Sequence, residues 1–307
     1  MFRDQDAPGQ NLALFLMTGL SVFWIYATSW VDPALPKPER VGDGLLFAVP
    51  LMLILLAHEL GHYLMARAHG VDTSLPWFIP VPFGFGTLGA VIRLRGKIPD
   101  RNALVDIGAA GPLAGLLVAV PMLVVGLMHA HVGPAPEHGP LFPGQLSLWA
   151  IARDLLSDGA SPDMARMYFG DNLLTWATQR LVLGELPPGT DVYAGPVFLA
   201  AWFGLLVTML NLMPVGQLDG GHLTHAWFGA RAVSLGRLVA VALGVLAVVG
   251  AVSWLVWLLV AWKVVRFEHP PVEQPEVPLT IGRKVVCVVS FVCFLLTVMP
   301  VPLELAP

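Results

Sequence analysis

Residues 45–66 read LLFAVPLMLILLAHELGHYLMA. A helix needs roughly 20 apolar residues to cross the hydrocarbon of a bilayer, and this run supplies them with one charged side chain, Glu59, between His58 and His62. An ionisable group at bilayer depth costs on the order of 2.5–3.5 kcal/mol, and packing in a leucine-rich helix recovers none of it. The three groups therefore point to chemistry. Histidines four apart lie on one helix face, where their ring nitrogens can converge on one metal ion. Glu59, beside the first histidine, is placed to take a proton from a water that such a metal activates. The same histidine spacing also suits a haem or a proton path, but the intervening glutamate and a carboxylate further along favour a metal.

The composition fits a membrane chain. Of 307 residues, 56% are hydrophobic and 12% charged, whereas soluble domains carry about 25% charged residues; the mean hydropathy is +0.72. This excludes an ordinary cytosolic enzyme, a disordered chain and a nucleic-acid binder working through a basic face. A formal net charge of −4 gives no electrostatic case for a polyanionic partner. Cys287 and Cys293 share one apolar run, where helical spacing points them apart, so they read as neither a disulfide nor a metal pair.

The expected fold class is an all-α polytopic membrane protein, a single membrane-embedded domain over 1–307. It has six spans: 7–31, 45–66, 107–130, a region 193–222, 238–262 and 285–303. The first is long, follows Asp4 and Asp6 and lacks a small-residue cleavage site, so it reads as a retained helix. Segment 75–95 does not fit a helix. It is uncharged from 75 to 92 yet carries Pro76, Pro80, Pro82, Gly84, Gly86 and Gly89. Irregular backbone at membrane depth must be buried in protein or line a cavity, which predicts a re-entrant loop ending in a strand-like piece, 87–94. The insertion 131–192 leans acidic (Glu137, Asp154, Asp158, Asp163, Asp171, Glu185, Asp191), and Trp149, Leu155, Leu156, Leu173, Leu174 and Trp176 predict short helices on the bilayer surface. A proline-rich linker, 269–278, separates the last two helices. Basic residues divide evenly between the two sides; the cluster Arg93, Arg95, Lys97 and Arg101 favours a cytoplasmic N-terminus.

A second motif, NLMPVGQLDGGH from Asn211 to His222, closes the fourth apolar region. Pro214 and Gly216 break the helix, and Asp219 stands at the break, a recurring way to build a buried ion site. With His58 and His62, Asp219 completes two imidazoles and one carboxylate, leaving a fourth position open as a catalytic zinc requires.

HELGH in one apolar helix and NLMPVGQLDGG in a later one resemble the site-2 protease family of intramembrane zinc metalloproteases. The resemblance continues through TLGAVIRLRGKIPDRNALVDIGAAGPLAG, residues 87–115, which looks most like the chloroplast thylakoid members and their bacterial relatives. It covers about 45 to 225, over half the chain. It implies one Zn2+ per chain held by His58, His62 and Asp219, with Glu59 as the catalytic glutamate. It also implies that Asn211 contacts unwound substrate backbone, and that the 87–94 strand, with Thr87, Gly89 and Val91, holds an extended substrate by main-chain pairing. Gly115 departs from members that carry asparagine there, and the insertion stands where some relatives carry a PDZ domain, which its acidic sequence does not suggest. His222 and His225 read as interfacial histidines without a metal role; His69, His129, His131, His138 and His269 receive no role.

The function implied is regulated intramembrane proteolysis. The partner is a transmembrane protein substrate, such as an anti-sigma factor or a membrane-tethered transcription factor, met within the lipid bilayer, and no nucleic acid is involved. The expected location is a bacterial cytoplasmic membrane. The alternative from a different class is a divalent-cation or proton transporter using the same buried groups, which predicts ionisable residues spread along a path.

Overall fold

The computed structural model describes residues 7–135, 147–151, 166–193 and 195–306. Helices α1 (Pro8–Ile25, extended by a π turn Tyr26–Trp30), α2 (Lys37–Ala68) and α3 (Arg101–Met128) are joined by the strands β1 (Trp77–Pro80) and β2 (Thr87–Val91). Strands β3 (His131–Pro134) and β4 (Arg166–Phe169), helix α4 (Leu173–Leu183) and strand β5 (Thr190–Tyr193) follow. The chain ends with α5 (Pro196–Leu212), α6 (Asp219–Phe228), α7 (Ala232–Val249), α8 (Ser253–Val260), α9 (Ile281–Thr297) and β6 (Leu303–Ala306).

Among the described residues, four helical stretches are long and apolar enough to cross a membrane: Pro8–Trp30, Lys37–Ala68, Arg101–Met128 and Asp219–Val249. The first three contain the expected spans, with small shifts at their ends. The later expectations need correction. The fourth region is α5, a break over 213–218, and α6, which runs through a short 3-10 turn into α7. The apolar run 238–262 is not one helix: α7 ends at Val249, the chain turns at Gly250, and α8 starts at Ser253. The run 285–303 is helical only to Thr297, ahead of Pro300, and Leu303 lies in β6, which pairs antiparallel with β4. Apolarity alone does not show where a helix stops.

The core lies where α2, α3 and α5 meet. Phe47, Leu51, Ile54, Leu123, Trp202 and Leu205 are fully buried there, while Leu16 and Leu20 of α1 and Val241 and Val245 of α7 face outward, as lipid-facing side chains do when a span is apolar all round.

Segment 75–95 is a hairpin in place of the expected loop with one strand. β1 pairs antiparallel with β2, Trp77 opposite Val91 and Phe78 opposite Ala90, and the pairing resumes beyond it at Thr73 and Leu94. Helix α1 satisfies the hairpin's backbone. Asn11 donates to the carbonyl of Pro76 (2.8 Å), Ser21 to that of Val81 (2.8 Å) and the Trp30 indole to that of Gly84 (2.9 Å). Phe85 at the tip stacks on Trp30. Side-chain donors of this kind make irregular backbone tolerable away from water.

In the insertion, β3 pairs with β5, and Leu173, Leu174 and Trp176 fall in α4, whose first turn is capped by Asn172 accepting from the Thr175 N–H. Glu137, His138, Arg153, Asp154, Leu155, Leu156, Asp158 and Asp163 lie outside the described residues.

Candidate metal centre

Helix α2 presents His58 and His62 on one face, and the first residue of α6 presents Asp219 to them. The two Nε2 atoms lie 3.1 Å apart; Asp219 Oδ2 is 3.4 Å from His58 Nε2, and Oδ1 is 3.3 Å from His62 Nε2. Among the described residues this is the one group of three or more His, Cys, Asp or Glu side chains placed to hold a metal ion. The spacing tests the fit. Zinc bonds of about 2.0–2.2 Å in a tetrahedron put neighbouring ligand atoms about 3.3–3.6 Å apart. Asp219 turns a different oxygen to each histidine, and one ligand atom from each of the three residues lies within 4.8 Å of the others, close enough for the set to converge on one ion.

The surrounding helices fit closely against the ligands. The His62 Nδ1–H donates to the carbonyl of Ile107 on α3 (2.7 Å), which turns Nε2 toward the centre. Helix α3 can come this close because Gly111 faces the His62 ring; a β-carbon there would overlap the imidazole. Gly115 lies against the His58 ring in the same way, at ordinary contact distance. Asp219 is the first residue of α6, at the positive end of the helix dipole, a favourable place for a carboxylate. Gly220 and Gly221 press on the carbonyls of Leu212 and Gly216, so the break between α5 and α6 closes tightly behind it.

His58, Glu59 and His62 are all buried, and they are the only histidine, acidic or basic side chains in the buried set among the described residues. The backbone of Ile92, directly after β2, faces the Glu59 carboxylate. The Asn211 amide nitrogen lies 3.2 Å from His58 Nε2, beside the ligand cluster. Thr87 is differently employed than a substrate contact would be. Its buried hydroxyl donates to the carbonyl of Ile79 (3.1 Å) and accepts from the Gly89 N–H (2.9 Å), shaping the strand internally. Leu88 and Val91 point outward, and Gly89 has a φ of +93°. The sheet contains only β1 and β2, so the far edge of β2 has no strand partner among the described residues.

Sequence reasoning missed the supporting groups. His69 and Arg283 both bind Asp106 on α3. The linker 269–278 is docked: the Glu273 and Gln274 N–H groups donate to the carbonyls of Ile98 and Pro99. His269 Nδ1 is 2.6 Å from the Pro270 carbonyl, so it donates there, and its Nε2 accepts from His222 Nδ1–H at 2.6 Å. Burial, with His222 and His225 adjacent, pushes the His269 ring down to about 3, which keeps that nitrogen an acceptor. The backbone carbonyls in these contacts leave no mark on residue type, and the side-chain pairs lie far apart in sequence.

Residues 46–251 match the pattern of peptidase family M50, over more than half of the chain. The chain belongs to that family, the site-2 proteases. It is 33% identical over 279 residues to "Probable zinc metalloprotease EGY1, chloroplastic" of Arabidopsis thaliana, covering 90% of this chain and 45% of that protein. It is 31% identical over 194 residues to "Probable zinc metalloprotease EGY2, chloroplastic" of Arabidopsis thaliana, covering 63% of this chain and 30% of that protein. The rice (Oryza sativa subsp. indica) "Probable zinc metalloprotease EGY3, chloroplastic" is 28% identical over 296 residues, 92% of this chain and 47% of that protein. The chain thus spans at most about half the length of these curated relatives. No solved structure matches it. Two imidazoles and a carboxylate form a donor set that suits Zn2+.

Proposed function

We propose that this M50 member is an intramembrane zinc endopeptidase that cuts a transmembrane segment after the segment is locally unwound. The observation that carries the reading is the cluster of buried His58 and His62 with partly buried Asp219, the one such metal-capable group among the described residues, with Glu59 alongside on the same helix as the histidines. A transporter needs charged groups along a path, and among the described residues the buried histidine, acidic and basic side chains are confined to this cluster.

Bound zinc supplies Lewis-acid activation of the attacking water and of the scissile carbonyl. His58 and His62 hold it through Nε2 and Asp219 through its carboxylate. Glu59 takes the water's proton on its carboxylate and returns it to the leaving amide nitrogen. Asn211, one amide beside His58, hydrogen-bonds the unwound substrate backbone. The free edge of β2, with Gly89 and Val91, pairs with the substrate as an added strand, and Thr87 supports it from inside the hairpin. Unpaired N–H and C=O groups have no water to turn to at this depth.

In this reading the residues over 1–307 form one membrane-embedded unit of six spans, the four long stretches with the shorter α5 and α9 completing the set, and with the β1–β2 hairpin re-entrant beside α1. The substrates are membrane-tethered regulators, an anti-sigma factor or a tethered transcription factor. The proposed location is a bacterial cytoplasmic membrane, and the cluster Arg93, Arg95, Lys97 and Arg101 supports a cytoplasmic N-terminus.

Purified protein in lipid vesicles, stripped by a chelator and then resupplied with Zn2+, tests the function. Cleavage of a single-span test substrate should vanish on stripping and return with Zn2+. Zinc-dependent cation or proton flux without any cleavage would contradict the reading.

A further inference from the structure

Asp106 sits on α3 immediately before Ile107, whose carbonyl orients the His62 ring. Its side chain is 14% exposed and carries an unusual load for a carboxylate outside the ligand cluster. Arg283, at the start of α9, reaches it with two nitrogens: Nη2 donates to Oδ2 at 2.8 Å, and Nε lies 3.1 and 3.2 Å from the two oxygens. His69, just past the end of α2, meets Oδ2 at 3.0 Å. A planar guanidinium fork on a carboxylate fixes direction as well as distance. The same turn of α3 is held from its other side, because the Ile107 side chain is buried against Ala66 of α2 and Val71. One turn earlier, Asn102 donates to the Pro278 carbonyl (3.2 Å) and accepts from the Thr280 N–H (3.0 Å). The last helix is thereby fastened to α3 twice, at Asn102 and at Asp106.

We propose that Asp106, clasped by Arg283 and His69, is a positioning residue for the zinc ligand His62. The clasp fixes the rotation and depth of the α3 turn that carries the Ile107 carbonyl. That carbonyl is the sole hydrogen-bond partner described for His62 Nδ1, and a small rotation of the turn moves it off the ring nitrogen. It also moves Gly111, which has no space to spare against the same imidazole. His69 belongs to the chain that leaves α2 after His62, so the clasp ties both ends of one short path: zinc helix, α3 and the final span. The inference rests on the zinc reading above and adds to it residues that neither touch the metal nor the substrate.

The test compares wild type with Arg283→Gln and Asp106→Asn in the full chain, loaded with Zn2+ or with Co2+. Partners behind metal-ligating histidines commonly change metal affinity by about 10–100-fold. Zinc release to a chromophoric chelator should therefore quicken roughly tenfold in both variants, and the visible absorption of the Co2+ form should shift as the His62 geometry changes. Arg180→Gln, which breaks the exposed Arg180–Glu185 pair in the insertion, should leave both readings as in wild type. Variants that unfold at lower temperature but release zinc at the wild-type rate, with an unaltered Co2+ spectrum, would overturn the inference. If Asp106→Asn does not fold, Arg283→Gln decides alone, since its side chain is 40% exposed and its loss opens no core cavity. Wild-type protein that takes up neither metal would overturn the zinc reading and this inference with it; normal wild-type uptake with unaltered variants overturns the inference alone.

Discussion

The α2–α3 crossing and the β1–β2 hairpin adjoin each other and are built on opposite rules. At the crossing nothing is left over: His62 Nδ1 is bonded to Ile107, the ligand atoms face one another, and Gly111 removes the last free space. At the hairpin the inner edge is spent on β1 and on donors from α1, while the outer edge of β2 keeps its backbone groups unpaired by any described strand. Leu88, the most outward of its side chains, is 67% exposed. Chemistry needs atoms held still, whereas recognition of a varied peptide needs backbone that is still available. The contrast predicts that changes at the crossing act through the metal, and that changes at the hairpin act through the substrate.

The largest effect short of removing the base is expected from Gly111→Ala. A methyl group there competes with the His62 ring for the same space, so the ring or α3 must move. Zinc affinity should fall by about 10–100-fold, and cleavage should fall with it; metal content after dialysis against a weak chelator checks this. Normal zinc in this variant would break the claim that the crossing has no slack. Val91→Pro comes next. It removes one backbone donor from β2 and fixes φ, so cleavage should drop about tenfold, the worth of one backbone hydrogen bond, with zinc content unchanged. Crosslinking of residues 87–91 to a trapped substrate should weaken in parallel. Wild-type cleavage by this variant would sink the strand-pairing model and leave the metal chemistry standing. The smallest effect belongs to Val91→Ile, which keeps the backbone and a β-branched side chain; its cleavage rate should stay within about twofold of wild type. A large loss there would show that side chains, and not main-chain pairing, read the substrate.

Much of the crossing was legible in the sequence, because its logic is local. His58, Glu59 and His62 share one helix turn, and Asp219 is marked by Pro214 and Gly216 at a helix break. The hairpin was half legible. Thr87 to Val91 reads as a strand by composition, but β1 contains Pro80 and is a strand only because β2 lies beside it. The late helices were misread for a simple reason: 238–262 is apolar throughout, and the turn at Gly250 that divides it leaves no mark on hydropathy. The clasp on Asp106 was not legible at all. Arg283 is separated from it by 177 residues, and in sequence both look like ordinary charges at helix ends. Linker 269–278 hides its role similarly, since its hold on the segment just before α3 runs through the backbone N–H groups of Glu273 and Gln274.

The central claim is that His58, His62 and Asp219 hold zinc while Glu59 moves the proton. Zinc content and cleavage of a single-span test substrate, measured on the same preparations of wild type and Glu59→Gln, test it most directly. The account predicts about one zinc per chain in both, with cleavage by Glu59→Gln reduced by about 10²–10⁴-fold, because the amide cannot accept the water's proton. Cleavage at the wild-type rate by a zinc-loaded Glu59→Gln protein would contradict it.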